Sequence, residues 1–296
     1  MEETLPKSGF VSIVGRPNCG KSTLLNRLVG EKISIVTDKP QTTRNVIRGI
    51  LTRDEGQIVF LDTPGIHKPA HRMNERMMKF VRESMSEVDV ILLVVDSTEP
   101  FGRGDEFTLS LLKPLPKPKL LLLNKIDRIQ KKNLLPMIER YSKLAEFKEV
   151  IPISALTGEN SEPLVKLILD QLEPGPAFYP TDELTDQPAR SIAAEVIREK
   201  LIILTRQELP YSMAVVIDQF EETAKISRIF ATIYVERDSQ KGIVVGRGGQ
   251  LLKQVGTEAR LELEKFFEQK IYLELHVKVK KGWRDDEGVL RNLGFT

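Results

Sequence analysis

The sequence predicts an α/β unit, a mostly parallel sheet with helices on both faces, followed by a smaller α+β unit. Three observations carry this. From Phe10 to about Leu172, apolar runs of strand length alternate with segments of helical period. Glu173 to Arg190 then carries Pro174, Pro176, Pro180 and Pro188, whose fixed φ and missing donors disfavour a continued helix. Beyond this stretch the order of elements changes, and nothing in it repeats the first unit. A length of 296 residues suits two domains. The boundaries are therefore set at 1–173 for the first, 174–190 for a linker and 191–296 for the second.

The strands expected in the first unit are Phe10 to Val14, Asn45 to Thr52, Gln57 to Leu61, Val88 to Val95, Lys119 to Asn124 and Glu149 to Ile153. Helical spacing follows most of them. Lys21 to Val29 places Leu24, Leu25 and Leu28 on one side, and Met73 to Met85, Asp105 to Leu112, Leu134 to Leu144 and Leu164 to Leu172 show comparable patterns. In the second unit a helix from about Ser191 to Thr205 precedes extended segments at Ser212 to Phe220 and Arg228 to Glu236. A helix pair interrupted near Gly246 follows, then a strand at Lys270 to Lys280 and a short helix within Trp283 to Leu293.

Composition excludes several classes. Hydrophobic content of 41% and charged content of 29% fit a globular chain rather than a disordered one. Apolar runs such as Val90 to Val95 and Leu120 to Leu123 fall far short of the roughly 20 residues of a spanning helix. Met1 to Ser8 is polar and acidic, unlike a secretory signal, so a cytoplasmic location is expected. The single cysteine, Cys19, rules out an intramolecular disulfide. His67, His71 and His276 show no metal-ligand spacing, so a zinc site is not expected. The net charge of +2 does not announce nucleic-acid binding, although Lys241 to Lys281 holds nine Lys/Arg against five Glu.

The chemistry begins at Gly15-Arg16-Pro17-Asn18-Cys19-Gly20-Lys21-Ser22, a G-x-x-x-x-G-K-S segment between an apolar strand and a helical pattern. In that context the backbone wraps phosphate oxygens, Lys21 neutralises β/γ charge and Ser22 ligates Mg²⁺. Asp62-Thr63-Pro64-Gly65 ends the next-but-one strand, where its carboxylate can meet Mg²⁺ through water and Gly65 can face the γ-phosphate. Asn124-Lys125-Ile126-Asp127 follows the leucine strand; a carboxylate there accepts the paired N1 and N2 hydrogens of guanine, which adenine lacks. Ser154 and Ala155 end the following strand, where a backbone N–H can reach the guanine oxygen.

These four motifs in this order resemble the translation-factor-related GTPases over about Phe10 to Leu172. Pro40-Gln41-Thr42-Thr43-Arg44 is similar to switch I of the Era-like subgroup. There a threonine closes on Mg²⁺ when the γ-phosphate is present; Thr43 is favoured over Thr42. The resemblance also implies a K⁺ ion held against the phosphates by Asn18, a position where potassium-dependent relatives carry asparagine. The residue after Gly65 is Ile66, where many small GTPases have a water-orienting glutamine. Hydrolysis must then rest on backbone groups, Mg²⁺, Lys21, Thr43, Gly65 and Asn18, and a slow intrinsic rate raised by a partner is expected. Cys19 reads as a small buried thiol; a lowered pKa at the helix N-terminus is the alternative.

In the second unit, Gly246-Arg247-Gly248-Gly249 forms a G-x-x-G loop before an amphipathic segment bearing Leu251, Leu252, Val255, Ala259 and Leu263. The order helix, strand, strand, helix, loop, helix, strand resembles a type II KH domain, in which the loop lets an RNA backbone approach and Arg247 meets phosphate. Tyr234 to Gly249 resembles the C-terminal domain of the Era-like GTPases. The fold expected is thus an α/β P-loop GTPase domain followed by an α+β type II KH domain. The resemblance implies a GTP/GDP switch with Mg²⁺ that binds the 3′ end of small-subunit ribosomal RNA and acts in maturation of the small ribosomal subunit. A monomer is expected. Two alternatives stay open: an RNA-binding assembly factor that uses GTP only as a structural ligand, and a regulatory GTPase peripheral to the cytoplasmic face of the membrane.

Overall fold

The computed structural model describes residues 6–69, 71–205, 209 and 212–295; residues 1–5 of the polar N-terminal segment lie outside this set. The chain forms two compact units. The first runs to Asp186 except for His71–Met73, which group with the second, from Gln187 onward.

The first unit is a six-stranded sheet in the order β2-β3-β1-β4-β5-β6. Its strands are β1 (Lys7–Gly15), β2 (Ile47–Arg53), β3 (Gly56–Asp62), β4 (Val90–Asp96), β5 (Lys119–Asn124) and β6 (Glu149–Pro152). All neighbours are parallel except β2 and β3, which pair antiparallel as a hairpin at the edge. The central strands are continuous apolar runs because helices cover both faces. One face packs α1 (Lys21–Val29) and α5 (Ser161–Gln171) through Leu24, Leu25, Leu164 and Ile168. The other packs α2 (Arg72–Glu87), α3 (Arg103–Leu112) and α4 (Leu134–Leu144) through Met78, Val81, Leu109 and Tyr141.

The proline-bearing stretch after α5 is not helical, and its first part is fastened to the hairpin. Phe178 stacks on Phe10 with ring centroids 4.7 Å apart. The side chain of Gln57 accepts from the Phe178 and Tyr179 amides and donates to the Tyr179 carbonyl. The Ile50 amide donates to the Leu184 carbonyl, and Arg48 pairs with Asp186 at 2.7 Å. Residues 174–186 therefore behave as a strap on the first unit.

The second unit has a three-stranded sheet ordered β7-β8-β9, built from β7 (Ala214–Glu222), β8 (Ile226–Val235) and β9 (Lys270–Val279). β7 and β8 pair antiparallel, whereas β8 and β9 pair parallel. The helices α6 (Ala189–Leu204) and α8 (Gln250–Phe266) bury Val196, Ile197, Val255, Ala259 and Leu263 against Ile229, Ala231 and Ile233. Between the strands and α8 lies α7 (Asp238–Val245), which ends at Gly246. The C-terminal α9 (Glu287–Asn292) is capped by Asp286, whose carboxylate accepts from the Val289 amide. Trp283 is buried, its indole N–H donating to the Ser212 carbonyl at 3.0 Å, as expected for a packing residue rather than a base-stacking one. Among the described residues no helix is long and apolar enough to cross a membrane.

Candidate active site

β1 carries the chain to the sheet's C-terminal edge and releases it into the loop Gly15–Gly20. Gly20 caps α1 at φ 97, and a Cβ there would lie 2.3 Å from Asn124 Nδ2, so the residue is fixed by both backbone and space. The amides at the start of α1 then point into an open cavity of about 580 Å³. Lys21 is buried, and its ammonium donates to the carbonyls of Gly15 at 3.4 Å and Arg16 at 3.2 Å. It thus lies folded over the loop that it is expected to bridge to phosphate. The Arg16 guanidinium turns the other way and pairs with Asp105 of α3 at 2.9 Å. That residue therefore meets the cavity mainly through its backbone and the base of its side chain. Cys19 is 1% exposed, and burial pushes its thiol above the ordinary value despite Lys21 and Lys125 nearby; the buried thiol is the outcome, not an activated one.

The cation corner has the donors magnesium takes. Ser22 Oγ donates to Asp62 Oδ2 at 2.6 Å and lies 2.9 Å from Thr43 Oγ1. Ser34 donates to the same carboxylate oxygen at 3.0 Å, while the buried Asp62 Oδ1 has no hydrogen-bond partner. Burial raises the Asp62 carboxyl above its ordinary value, against the opposing influence of Lys21 and the Ser22, Ser34 and Thr43 hydroxyls. A buried carboxylate with an orphaned oxygen beside two hydroxyls fits a hard cation. Thr42 is placed differently: its hydroxyl meets the Thr37 hydroxyl and the Lys39 carbonyl, both at 2.6 Å, away from Ser22.

Behind Asp62, Thr63 is buried and its hydroxyl donates to the Ile13 carbonyl at 2.8 Å. Pro64 is buried, Gly65 packs against Pro17, and the Ile66 amide donates to the Gly15 carbonyl at 2.9 Å. The Ile66 side chain is 2% exposed and joins the core with Met78 and Val81, facing away from the cavity. His67 is half-buried, with Nδ1 2.7 Å from the Gly65 carbonyl.

The base-recognition loops are cross-linked to the phosphate loop. Asn124 donates to the Cys19 carbonyl at 2.7 Å and accepts from the Ala155 amide at 2.9 Å. Lys125, held at φ 66, donates to the Asn18 carbonyl at 2.8 Å and pairs with Asp96 at 2.5 Å. Burial works against the Asp96 charge, but hydrogen bonds from Lys125 and Thr98 outweigh it and hold that carboxyl below its ordinary value. Asp127 is exposed, with one oxygen accepting from the Ser154 hydroxyl at 2.6 Å. The Asn18 side chain donates to the Asp38 carbonyl at 2.8 Å, tying the phosphate loop to switch I.

Sequence reasoning missed Asp96, Asp105, Ser34 and Arg27; the last donates to the Ala155 and Leu156 carbonyls and holds the base loop. A signal existed only for Asp96, an acidic residue ending an apolar parallel strand at the ligand-binding edge.

In the second unit the G-x-x-G residues form an exposed turn. Gly246 sits at φ 74, and Gly248 at φ 57 has nothing within 4 Å of where a Cβ would stand. Arg247 is exposed, and Gly249 caps α8 at φ 79.

A phosphate loop, an oxygen-lined cation corner and an Asn-Lys-x-Asp loop on one sheet edge define a GTP-hydrolysing P-loop enzyme, here followed by a KH domain. Family models agree: 50S ribosome-binding GTPase matches residues 10–125, and KH domain matches 208–284. Two solved structures extend the likeness over nearly the whole chain. An Aquifex aeolicus Era Tyr-to-Ala variant bound to GDP·AlF4⁻ is 43% identical with a TM-score of 0.94, over 98% of this chain and 99% of that one. Era in complex with MgGDPNP and nucleotides 1506–1542 of 16S ribosomal RNA matches at 43% identity and a TM-score of 0.95, with the same coverage. The chain belongs to the Era GTPase family.

Proposed function

We propose that this GTPase is a switch that binds the 3′ end of small-subunit ribosomal RNA through its KH domain and acts in maturation of the small ribosomal subunit. One observation carries the reading: the likeness to the RNA-bound Era complex spans both domains at 43% identity. Ser22, Thr43 and Asp62 would hold Mg²⁺, which, when bound, draws charge from the β- and γ-phosphate oxygens. Lys21 and the amides opening α1 hold the phosphates, and Asp127 reads the base; the Ser154 and Ala155 amides, expected to reach the guanine oxygen, donate instead to the Glu159 carbonyl and to Asn124. Thr43 contributes only while switch I is closed, which makes it the element that senses the γ-phosphate. Since Ile66 is turned into the core, no side-chain amide beside Gly65 orients the attacking water. Hydrolysis by the protein alone is then slow and rises when a partner orders the site. The family resemblance supports a K⁺ contribution at Asn18, whose side-chain amide donates to the Asp38 carbonyl; turnover indifferent to replacing K⁺ by Na⁺ removes that element.

The experiment is steady-state GTP turnover with and without an RNA of the small-subunit 3′ end. Turnover raised by the RNA supports the switch. Tight GTP binding with no turnover in either condition identifies a nucleotide held only as structure.

A further inference from the structure

A second charged feature lies at the other end of the first unit's sheet. The segment from α3 to β5 reads Lys113-Pro114-Leu115-Pro116-Lys117-Pro118-Lys119. Together with the α4–β6 turn it forms an open groove of about 790 Å³ lined by four lysines, Lys113, Lys117, Lys119 and Lys148, and one acid, Glu146. Among the described residues, none of the four lysines has a carboxylate within ion-pair distance. Some other basic groups of the unit are matched, among them Lys143 to Glu139, Lys79 to Glu83 and Arg53 to Glu162. The groove is also shaped rather than loose. Lys119 donates to the Leu115 and Lys117 carbonyls at 2.6 and 3.2 Å, the Ile91 amide to the Pro118 carbonyl at 3.0 Å, and the Lys148 amide to the Lys119 carbonyl at 2.8 Å. Lys119 therefore braces the loop, leaving Lys113, Lys117 and Lys148 to face solvent.

Its position and donor set narrow what it can serve. Lys119 begins β5 and Asn124 ends it, so about 17 Å of strand separates the groove from the nucleotide edge. Three prolines remove three backbone donors from the loop, which therefore lacks the convergent N–H groups that grip one small anion. Spaced ammonium point charges on a stiff frame match instead a polymer with regularly spaced phosphates. Leu115 and Phe147 are half-buried, which gives the groove no protruding apolar side chains to enter a lipid surface.

We infer that this groove docks the phosphate backbone of a second RNA segment, independently of the strand held by the KH loop. The inference rests on the RNA-binding reading above. The test uses the full-length protein saturated with a single-stranded 3′-tail RNA, to which a labelled plain RNA duplex is added across a salt series. K113A/K117A/K148A is compared with the unchanged chain. The expected result is duplex binding that weakens with salt. The triple variant should lose about tenfold in affinity and show a log–log salt slope shallower by two to three, as expected for three fewer phosphates neutralised. Its tail affinity and RNA-free GTP turnover should be unchanged. Equal duplex affinity and slope in the two proteins overturns the inference. So does a variant that loses binding only to vesicles containing anionic lipid. Failure of the unchanged protein to bind the single-stranded tail instead overturns the RNA-binding reading itself.

Discussion

The two glycine-bearing loops of this chain are built in opposite ways. The phosphate loop is enclosed: Asn124 and Lys125 bond its carbonyls, Gly65 and Ile66 close over it, and Cys19 within it is buried. The G-x-x-G turn is open, with no atom within 4 Å of a Cβ at Gly248 and an exposed Arg247. The first gathers segments distant in sequence to hold a compact, highly charged ligand. The second presents bare backbone so that a polymer can lie along it. Adding a side chain at an enclosed glycine of the first loop should therefore damage folding and function together, whereas removing a ligand-facing group there, or substituting in the second loop, should damage function alone.

Four measurements break or sharpen this contrast. Lys21→Ala should weaken GTP binding about a thousandfold, about 4 kcal/mol, while nucleotide-free binding to the 3′-tail RNA is retained; joint loss would mean general misfolding. Asp127→Asn should lower GTP affinity about a hundredfold and favour xanthosine triphosphate, because the amide donates where guanine also donates; unchanged selectivity in a competition assay would refute the assignment of Asp127 to base recognition. Gly248→Asp should weaken RNA binding about tenfold at unchanged thermal midpoint, since the left-handed region tolerates Asp and the space is open, while the added charge meets phosphate. A midpoint several degrees lower would show that this loop, too, supports the fold.

The smallest effect is one of pH. The Asp62 carboxyl is raised by burial when no cation is present, so protons compete with Mg²⁺ as pH falls toward that raised value. Mg²⁺-dependent GTP affinity should begin to fall at a higher pH than it would if an exposed aspartate of ordinary pKa held the ion. The linked stability has the opposite sign. The folded metal-free state binds the proton more tightly than the unfolded chain, so this group favours folding below the unfolded value and that contribution is lost as pH rises through the raised one. A pH-independent Mg²⁺ titration would remove Asp62 from the cation site.

The alternation of strands and helices and the phosphate motif were legible because both are encoded within a few consecutive residues. Contacts between distant segments were not. Nothing near Arg16 signals Asp105, and nothing near Asp62 signals Ser34. Cys19 shows one competition: its place beside a helix N-terminus argues for a lowered pKa, but complete burial outweighs that. The prolines of 174–186 correctly deny a helix, yet they are silent on whether the segment is free. Its attachment depends on Gln57, Arg48 and Phe10, more than a hundred residues earlier.

That attachment sets the length of the leash between the two modules. With Asp186 gripped by Arg48 and Tyr179, and α6 beginning at Ala189, only Gln187 and Pro188 are left to span at most about 11 Å. One of the two is conformationally stiff. The near end of this short tether is moored to β2, the strand into which switch I runs.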